Sequence, residues 1–387
     1  MLIQCTKALL DKLGLKGNEL TSPEGLEQFP NSFMAWHANF VSIGRRKAII
    51  LMNNETKYPV VIFRPITKDL SKIKDVMVEA ITEALRMEGV RKDVIDAYMA
   101  KAGEISFSKT AGKSMVARMN NAVRDIEFMW EYLDETTKIQ RYISIPTGRM
   151  IQSIGGGKGI FYPFEKMLEC LGILYGYEEG SAVEAVLDIN VYQVKIQINL
   201  EGHDIWRRVY VPSTYSFRHL HHIIQIVFDW QNYHLHEFTV GKAESKPIKI
   251  LMDDDPETLE YADFDKFDIR QERFTALEEI LPECTEVIYE YDFGDSWEHM
   301  ITLEKVIKSK EFQASYIEGN GERPPEDVGG TWGYEEYLRT MANEEHPMHD
   351  EMKVWAENQR ERKLSQEKIN RRLKSVIKGH GFSTFVF

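Results

Sequence analysis

Residues 287–307, VIYEYDFGDSWEHMITLEKVI, decide how this chain is read. Apolar and polar residues alternate on both sides of DFGDS, the pattern of two antiparallel strands joined by a tight turn. Val287, Tyr289, Tyr291 and Phe293 fall on one face; Ile288, Glu290 and Asp292 fall on the other. Gly294 can take positive φ, and Asp292 and Asp295 flank it with short carboxylates suited to turn amides. In the plainer reading Asp295 and Ser296 fix the turn while Trp297 packs. A chemical reading competes with it, in which Asp292, Asp295 and His299 project together as ligands or acid–base groups.

Working outward, VYQVKIQINL (191–200) alternates as a half-buried strand, and IWRRVYVP (205–212) is a second. Ser216 can cap a helix, FRHLHHIIQIVFDW, whose Leu220, Ile223, Ile224, Val227 and Phe228 form an apolar stripe. HLHEFTV (234–240) returns as a strand, and the acidic loop MDDDPETLEYADFDKFD separates it from the hairpin. From Asp350 the chain is charged and helix-compatible, with Val354, Leu364, Ile369, Leu373 and Val376 as sparse apolar points, so it reads as solvent-exposed or lightly packed.

The opening LIQCTKALLDKLG reads as a strand entering a helix that stops near Gly14. FMAWHANFVSI, KAIILMN and YPVVIF, joined by turn-like GRR and NETK, predict a three-strand antiparallel meander. Asp69 is placed as the N-cap of a helix through about Glu88, followed by a helix over Lys92 to Lys101, a strand at EISFSKT and a closing helix over MVARMNNAVRDIEFMWEYL. In the connecting stretch, SIGGGKGIFYPF holds Gly155, Gly156, Gly157 and Gly159. The P-loop spacing is absent, which leaves a flexible hinge as the expectation. The fold class is α+β: two domains, each an antiparallel sheet with packed helices, plus a helical C-terminal tail. The expected segments are 1–134, a connector over 135–188, 189–345 and a tail over 346–387.

Composition narrows the function classes. The 387 residues exceed one typical core, and 43% hydrophobic with 28% charged content is ordinary for a globular protein. No apolar run approaches the roughly 20 residues of a membrane span, and the start carries no secretion pattern. Cys5, Cys170 and Cys284 lie far apart, so a reducing cytoplasm is expected. Residues 151–349 hold 17 Lys and Arg against 38 Asp and Glu, a field that repels phosphate backbones and makes nucleic acid a poor partner for the second domain. A protein partner or a second copy of the chain fits better.

Three separated stretches, HLHHIIQIVFDWQNYHLHEFTV, YEYDFGDSWEHMITLEKV and ERPPEDVGGTWGYEEYL, resemble the plasmid pRiA4b ORF-3-like family over about residues 188–342. The start MLIQCTK, with Trp36, His37, Ala38 and Asn39 and then Arg45, Arg46 and Lys47, resembles a small domain of unknown function. The first resemblance implies an α+β domain on an antiparallel sheet, a prokaryotic source and an association with mobile elements. It implies no established reaction. Many relatives carry cysteines around the PPED stretch; here Arg323 precedes Pro324 and Val328 follows Asp327, so a thiolate–zinc loop is not expected.

Seven histidines fall in the motif zone: His203, His219, His221, His222, His234, His236 and His299. His234 and His236, two apart on a strand, share a face and could present two ligands to a divalent metal, with His222, His299 and Asp295 completing the candidate set. Paired core histidines are the plainer alternative. Glu326 and Asp327, in a loop stiffened by Pro324 and Pro325 and bent at Gly329 and Gly330, could join that cluster or sit at a helix start. If the loop roofs the hairpin, Trp230, Tyr233, Asp292, Asp295, Trp297, Glu326, Asp327 and Trp332 line an acidic, aromatic pocket for a cationic or stacked ligand. Arg45, Arg46 and Lys47 are expected as a solvated turn. The leading expectation is a binding or adaptor module. A metal-dependent hydrolase or nuclease using His234, His236, Asp295 and His299 is the alternative, and a DNA-binding accessory protein the third. No nucleophile elbow, HExxH or Walker sequence decides whether it is an enzyme.

Overall fold

The computed structural model describes residues 1–21, 32–110, 113–129, 133–153, 159–241, 246–252, 256–260, 262–310, 312–359 and 364–376. Its contacts divide into two units, Met1–Asp188 and Ile189–Phe387.

Unit 1 begins with β1 (Leu2–Cys5) and α1 (Lys7–Leu13), which ends at Gly14 with φ 70°. The meander follows as β2 (Ala35–Ile43), β3 (Arg46–Asn53) and β4 (Pro59–Phe63), antiparallel as the turn signals predict. Next come α2 (Thr67–Ser71), α3 (Ile73–Met87), α4 (Lys92–Ala102), β5 (Ser106–Lys109) and α5 (Lys113–Phe128). The sheet order is β4-β3-β2-β1-β5, and β1 pairs in parallel with both β2 and β5. This sheet is therefore mixed, because α1 carries the chain back to the end at which β1 began. Asp69 lies inside α2, not at the expected cap: its carboxylate accepts the Ile66 amide at 2.8 Å, and Lys72 breaks the run before α3.

Residues 135–188, expected as a connector, supply α6 (Arg141–Gly148), the short strands β6 (Gln152–Ser153) and β7 (Ile160–Phe161), α7 (Pro163–Tyr175) and α8 (Ala182–Ala185). Ile143 enters the same apolar core as Ile50, Val61 and Ile126. Buried Glu88 accepts from Tyr58 Oη at 2.8 Å and pairs with Arg149. These contacts make the stretch part of unit 1. Gly155, Gly156 and Gly157 lie outside the described residues.

Trp36 of the WHAN stretch is fully buried and donates to Tyr98 Oη at 2.9 Å. His37 meets Asn54 Oδ1 at 2.6 Å, and Asn54 donates to Gln4 at 2.7 Å. Arg46 pairs with Glu135 at 3.7 Å and Lys47 donates to Ser42, so both point along the surface.

Unit 2 holds β8 (Ile189–Ile198), β9 (Trp206–Pro212), α9 (Phe217–Phe228), β10 (His236–Val240), β11 (Ile248–Leu251), α10 (Pro256–Glu260) and β12 (Asp268–Gln271). The hairpin β13 (Glu286–Tyr291) and β14 (Trp297–Ser309) is followed by β15 (Ser315–Asn320), α11 (Gly330–Ala342), α12 (His349–Glu357) and α13 (Gln366–Val376). Eight strands form one sheet in the order β12-β11-β10-β13-β14-β8-β9-β15, antiparallel except for the β11–β12 pair. Tyr192, Val194, Ile196 and Ile198 of β8 and the α9 stripe meet in one core, where alternation on a strand and 3.6-residue spacing on a helix place them. The tail is not lightly packed: Ile369, Leu373 and Val376 of α13 enter this core. Beside them, Asn370 Oδ1 accepts the Tyr316 amide of β15 at 2.7 Å, and Gln366 Nε2 donates to the Tyr316 and Ile317 carbonyls. No helix among the described residues is long and apolar enough to cross a membrane.

Candidate functional site

β10 pairs with β13, setting His236 opposite Tyr291, and the Asp292 amide donates to Leu235 O at 2.9 Å. This register brings the 231–235 segment beside the hairpin turn. The strand ends at Tyr291, and Asp292 takes φ 60°, which ends the alternation: Val287, Tyr289 and Tyr291 are buried, whereas Phe293 turns out to solvent. Asp292 is itself buried. Its Oδ1 accepts the amides of Gly294 at 3.0 Å and Asp295 at 3.3 Å, the turn role its short side chain suits.

The diproline loop lies over this turn. Arg323, fully buried, donates from Nε and Nη2 to Asp229 O and from Nε to Phe228 O, and its guanidinium stands 4.6 Å from the Trp230 ring. Donors of this fork geometry satisfy the carbonyls that a helix end leaves open, here those of α9. Gly329 and Gly330 take φ 90° and 64°, and the Gly329 amide donates to Asp295 Oδ2 at 3.1 Å. A Cβ on Gly330 would stand 2.9 Å from Asp295 O. The two glycines allow the close approach.

Between loop and hairpin, Tyr291 Oη donates to Glu326 Oε1 at 2.6 Å, and Arg323 Nη1 stands 3.7 Å from Glu326 Oε2. Burial raises the Glu326 carboxyl above its ordinary value, opposed by the Tyr291 hydrogen bond and the Arg323 charge. Asp327 is exposed with φ 55°, and its Oδ1 lies 3.1 Å from His234 Nε2; Asp292 Oδ2 lies 3.5 Å from the same nitrogen. Among the described residues, His234, Asp292 and Asp327 are the one group of three or more His, Cys, Asp or Glu side chains with ligand atoms all within 4.8 Å of one another. Tyr233, largely exposed, places its hydroxyl 3.5 Å from Asp327 Oδ2.

Other expected site residues lie elsewhere. Trp230 and Trp297 are core residues with stacked rings 6.1 Å apart, so they line no pocket. Trp332 is on the exposed side of α11. His299 is fully buried: Trp230 Nε1 donates to its Nε2 at 3.2 Å and Nδ1 meets Trp297 O at 2.9 Å, leaving neither nitrogen for a metal. His236 Nε2 bonds Glu272 Oε2 at 2.8 Å, and its ring stacks 3.6 Å from His221, not His222. His221 completes the network through Tyr289 Oη at 2.9 Å and Asn232 Oδ1 at 2.5 Å. His222, His236, His299 and Asp295, whose Oδ2 accepts the Gly329 amide, thus fall outside the His234 group. The expected pairing of His234 and His236 on one strand face does not form, because β10 begins only at His236: His236 lies in the core, and His234, two residues before the strand, lies at the rim. Glu272 and Asn232 had no sequence signal, since each meets its partner only through the tertiary fold.

Burial pushes His299 down to about 4 and His221 well below its ordinary value. Both stay neutral in the folded state while the unfolded chain takes up protons near 6.5. Stability is therefore complete above that pH and falls as pH drops from 6.5 towards 4; His299 alone contributes a loss of about 3 kcal/mol. Urea midpoints measured across this window should show the fall, and His299→Gln should flatten it. An unchanged slope in that variant would show that His299 is not held neutral.

The fold is α+β in two units, the second bringing His234, Asp292 and Asp327 together where three loops meet. The chain belongs to the plasmid pRiA4b ORF-3-like protein family, which it matches over residues 190–372. Residues 2–166 match a domain of unknown function, DUF6933. It is 30% identical over 167 residues to an uncharacterized protein of Sinorhizobium fredii, covering 43% of this chain and 80% of the relative. A crystal structure of a protein of unknown function from Methanosarcina mazei Go1 is 33% identical, covering 46% of this chain and 97% of that one, with a TM-score of 0.40.

Proposed function

We propose that unit 2 is a binding module for a cationic group, and that its site is the rim formed by residues 231–235, 292–296 and 326–330. One observation carries this reading: among the described residues, no Lys or Arg forms an ion pair with Asp292, Asp295 or Asp327, although Asp292 and Asp327 gather around His234 and Asp295 meets the Gly329 amide at the same turn. Unneutralised carboxylates in a partly enclosed place attract positive charge, and exposed Tyr233 beside them offers a ring face. The net negative charge of residues 151–349 supports a cation over a nucleic acid.

Calorimetric titration of the full chain with arginine amide, spermidine and divalent cations tests the reading. At least one class should bind, more weakly at high salt, and Asp327→Asn or Tyr233→Ala should weaken it about tenfold, the loss of roughly 1.4 kcal/mol. Absence of binding by every class, or binding indifferent to both substitutions, would remove the proposal.

A further inference from the structure

The geometry points to a more specific occupant: a divalent first-row transition-metal ion of the zinc or manganese class, held by His234 Nε2, one oxygen of Asp292 and one oxygen of Asp327. This rests on the cation-binding reading and names its ligand.

Spacing is the first argument. Metal–ligand bonds of about 2.0–2.2 Å at angles near 90–110° place ligand atoms about 3 to 4 Å apart. His234 Nε2 lies 3.1 Å from Asp327 Oδ1 and 3.5 Å from Asp292 Oδ2. The second argument is independent of distance. His234 Nε2 is shut off from solvent, yet it makes no well-directed hydrogen bond with either carboxylate. A nitrogen within 3.5 Å of two carboxylate oxygens and hydrogen-bonded to neither, with all three ligand atoms within 4.8 Å of one another, has the placement that a shared ion needs.

The surroundings hold the oxygens in place. Asp292 is more than nine-tenths buried, and two turn amides occupy its Oδ1, leaving Oδ2 towards His234. Asp327 stands next to Glu326, which is anchored by Tyr291, and Tyr233 Oη approaches its other oxygen. Such outer contacts orient ligands and raise affinity. The donor set selects the metal class: the imidazole nitrogen favours zinc over magnesium and calcium, the two carboxylates admit manganese, and no cysteine belongs to the group. Exposed Asp327 leaves the remaining coordination positions open to water.

The test is calorimetry on tag-free full chain, stripped with chelator and titrated with Zn²⁺ and Mn²⁺, with Mg²⁺ as the counter-probe. One Zn²⁺ or Mn²⁺ should bind per chain, with Mg²⁺ at least tenfold weaker. Asp292→Asn, Asp327→Asn and His234→Gln should each weaken the ion at least tenfold, while the surface change Glu298→Gln should not. Asparagine at 292 keeps the oxygen that accepts the turn amides, and circular dichroism confirms that each variant is folded. A folded wild-type chain that binds neither ion, or binds one indifferent to all three substitutions, overturns the metal assignment. If arginine amide or spermidine still binds and Asp327→Asn weakens it, only the metal falls. If nothing binds, the broader reading falls too.

Discussion

Arg323→Ala should cost unit 2 about 5 kcal/mol, the largest single effect expected in this protein. The guanidinium is fully buried and donates to the carbonyls of Phe228, Asp229 and Pro324. Removing it orphans these carbonyls, at about 1–3 kcal/mol for each buried group left unsatisfied. It also leaves Glu326 buried without its cation, and breaking such a pair costs about 3–5 kcal/mol. These terms overlap, hence a figure below their sum. In a unit of this size the midpoint temperature should fall by about 10–20 °C. Arg323→Lys should recover little, since one ammonium cannot span the same carbonyls. Arg323→Met combined with Glu326→Gln should be milder than Arg323→Ala, because the buried charge goes with its partner. Thermal and urea unfolding of the three variants measure this; a loss under about 1 kcal/mol for Arg323→Ala would show that the clamp contributes little.

Trp36→Ala should be the most damaging single change in unit 1, at about 3–5 kcal/mol. The ring is wholly buried, and its Nε1 donates to Tyr98 Oη, which in turn donates to Phe33 O at 3.1 Å. Trp36→Phe keeps much of the buried area while losing the donor and part of the ring's volume, so it should cost about 1–2 kcal/mol. Hydrogen exchange over β1, β2 and β5 reads the difference. Protection in Trp36→Ala equal to that in Trp36→Phe would show that the cavity collapses and that the ring's volume is not what holds these strands.

Much of this fold was legible because its elements are locally consistent. Alternation in 287–307 and 191–200 and the α9 stripe define the sheet and the helix that covers it, since each period follows from backbone geometry alone. The parallel pairing of β1 was not legible, because Leu2–Cys5 reads the same beside a parallel or an antiparallel neighbour. The tail misled for a different reason. Ile369, Leu373 and Val376 are few among many charges, and only their three- and four-residue spacing marks a buried face. At the site, Asp292, Asp327 and His234 were all legible as candidates by residue type. Their grouping was legible only as a condition, that the diproline loop roofs the hairpin, because it depends on Asp292 taking φ 60° and on Arg323 fixing a loop some thirty residues further along. Charge and periodicity carry neither.

The contacts between α13 and β15 have a consequence for self-association. A strand at the border of a sheet offers its free amides and carbonyls to any extended segment that drifts past, the route by which chains add to one another in fibrils. Asn370 and Gln366 occupy part of that row from within the molecule. At the opposite border, β12 is four residues long and carries the Asp268–Arg270 pair, whose charges discourage an incoming strand. The charged C-terminal helix is thus a guard against aggregation as well as a part of the core.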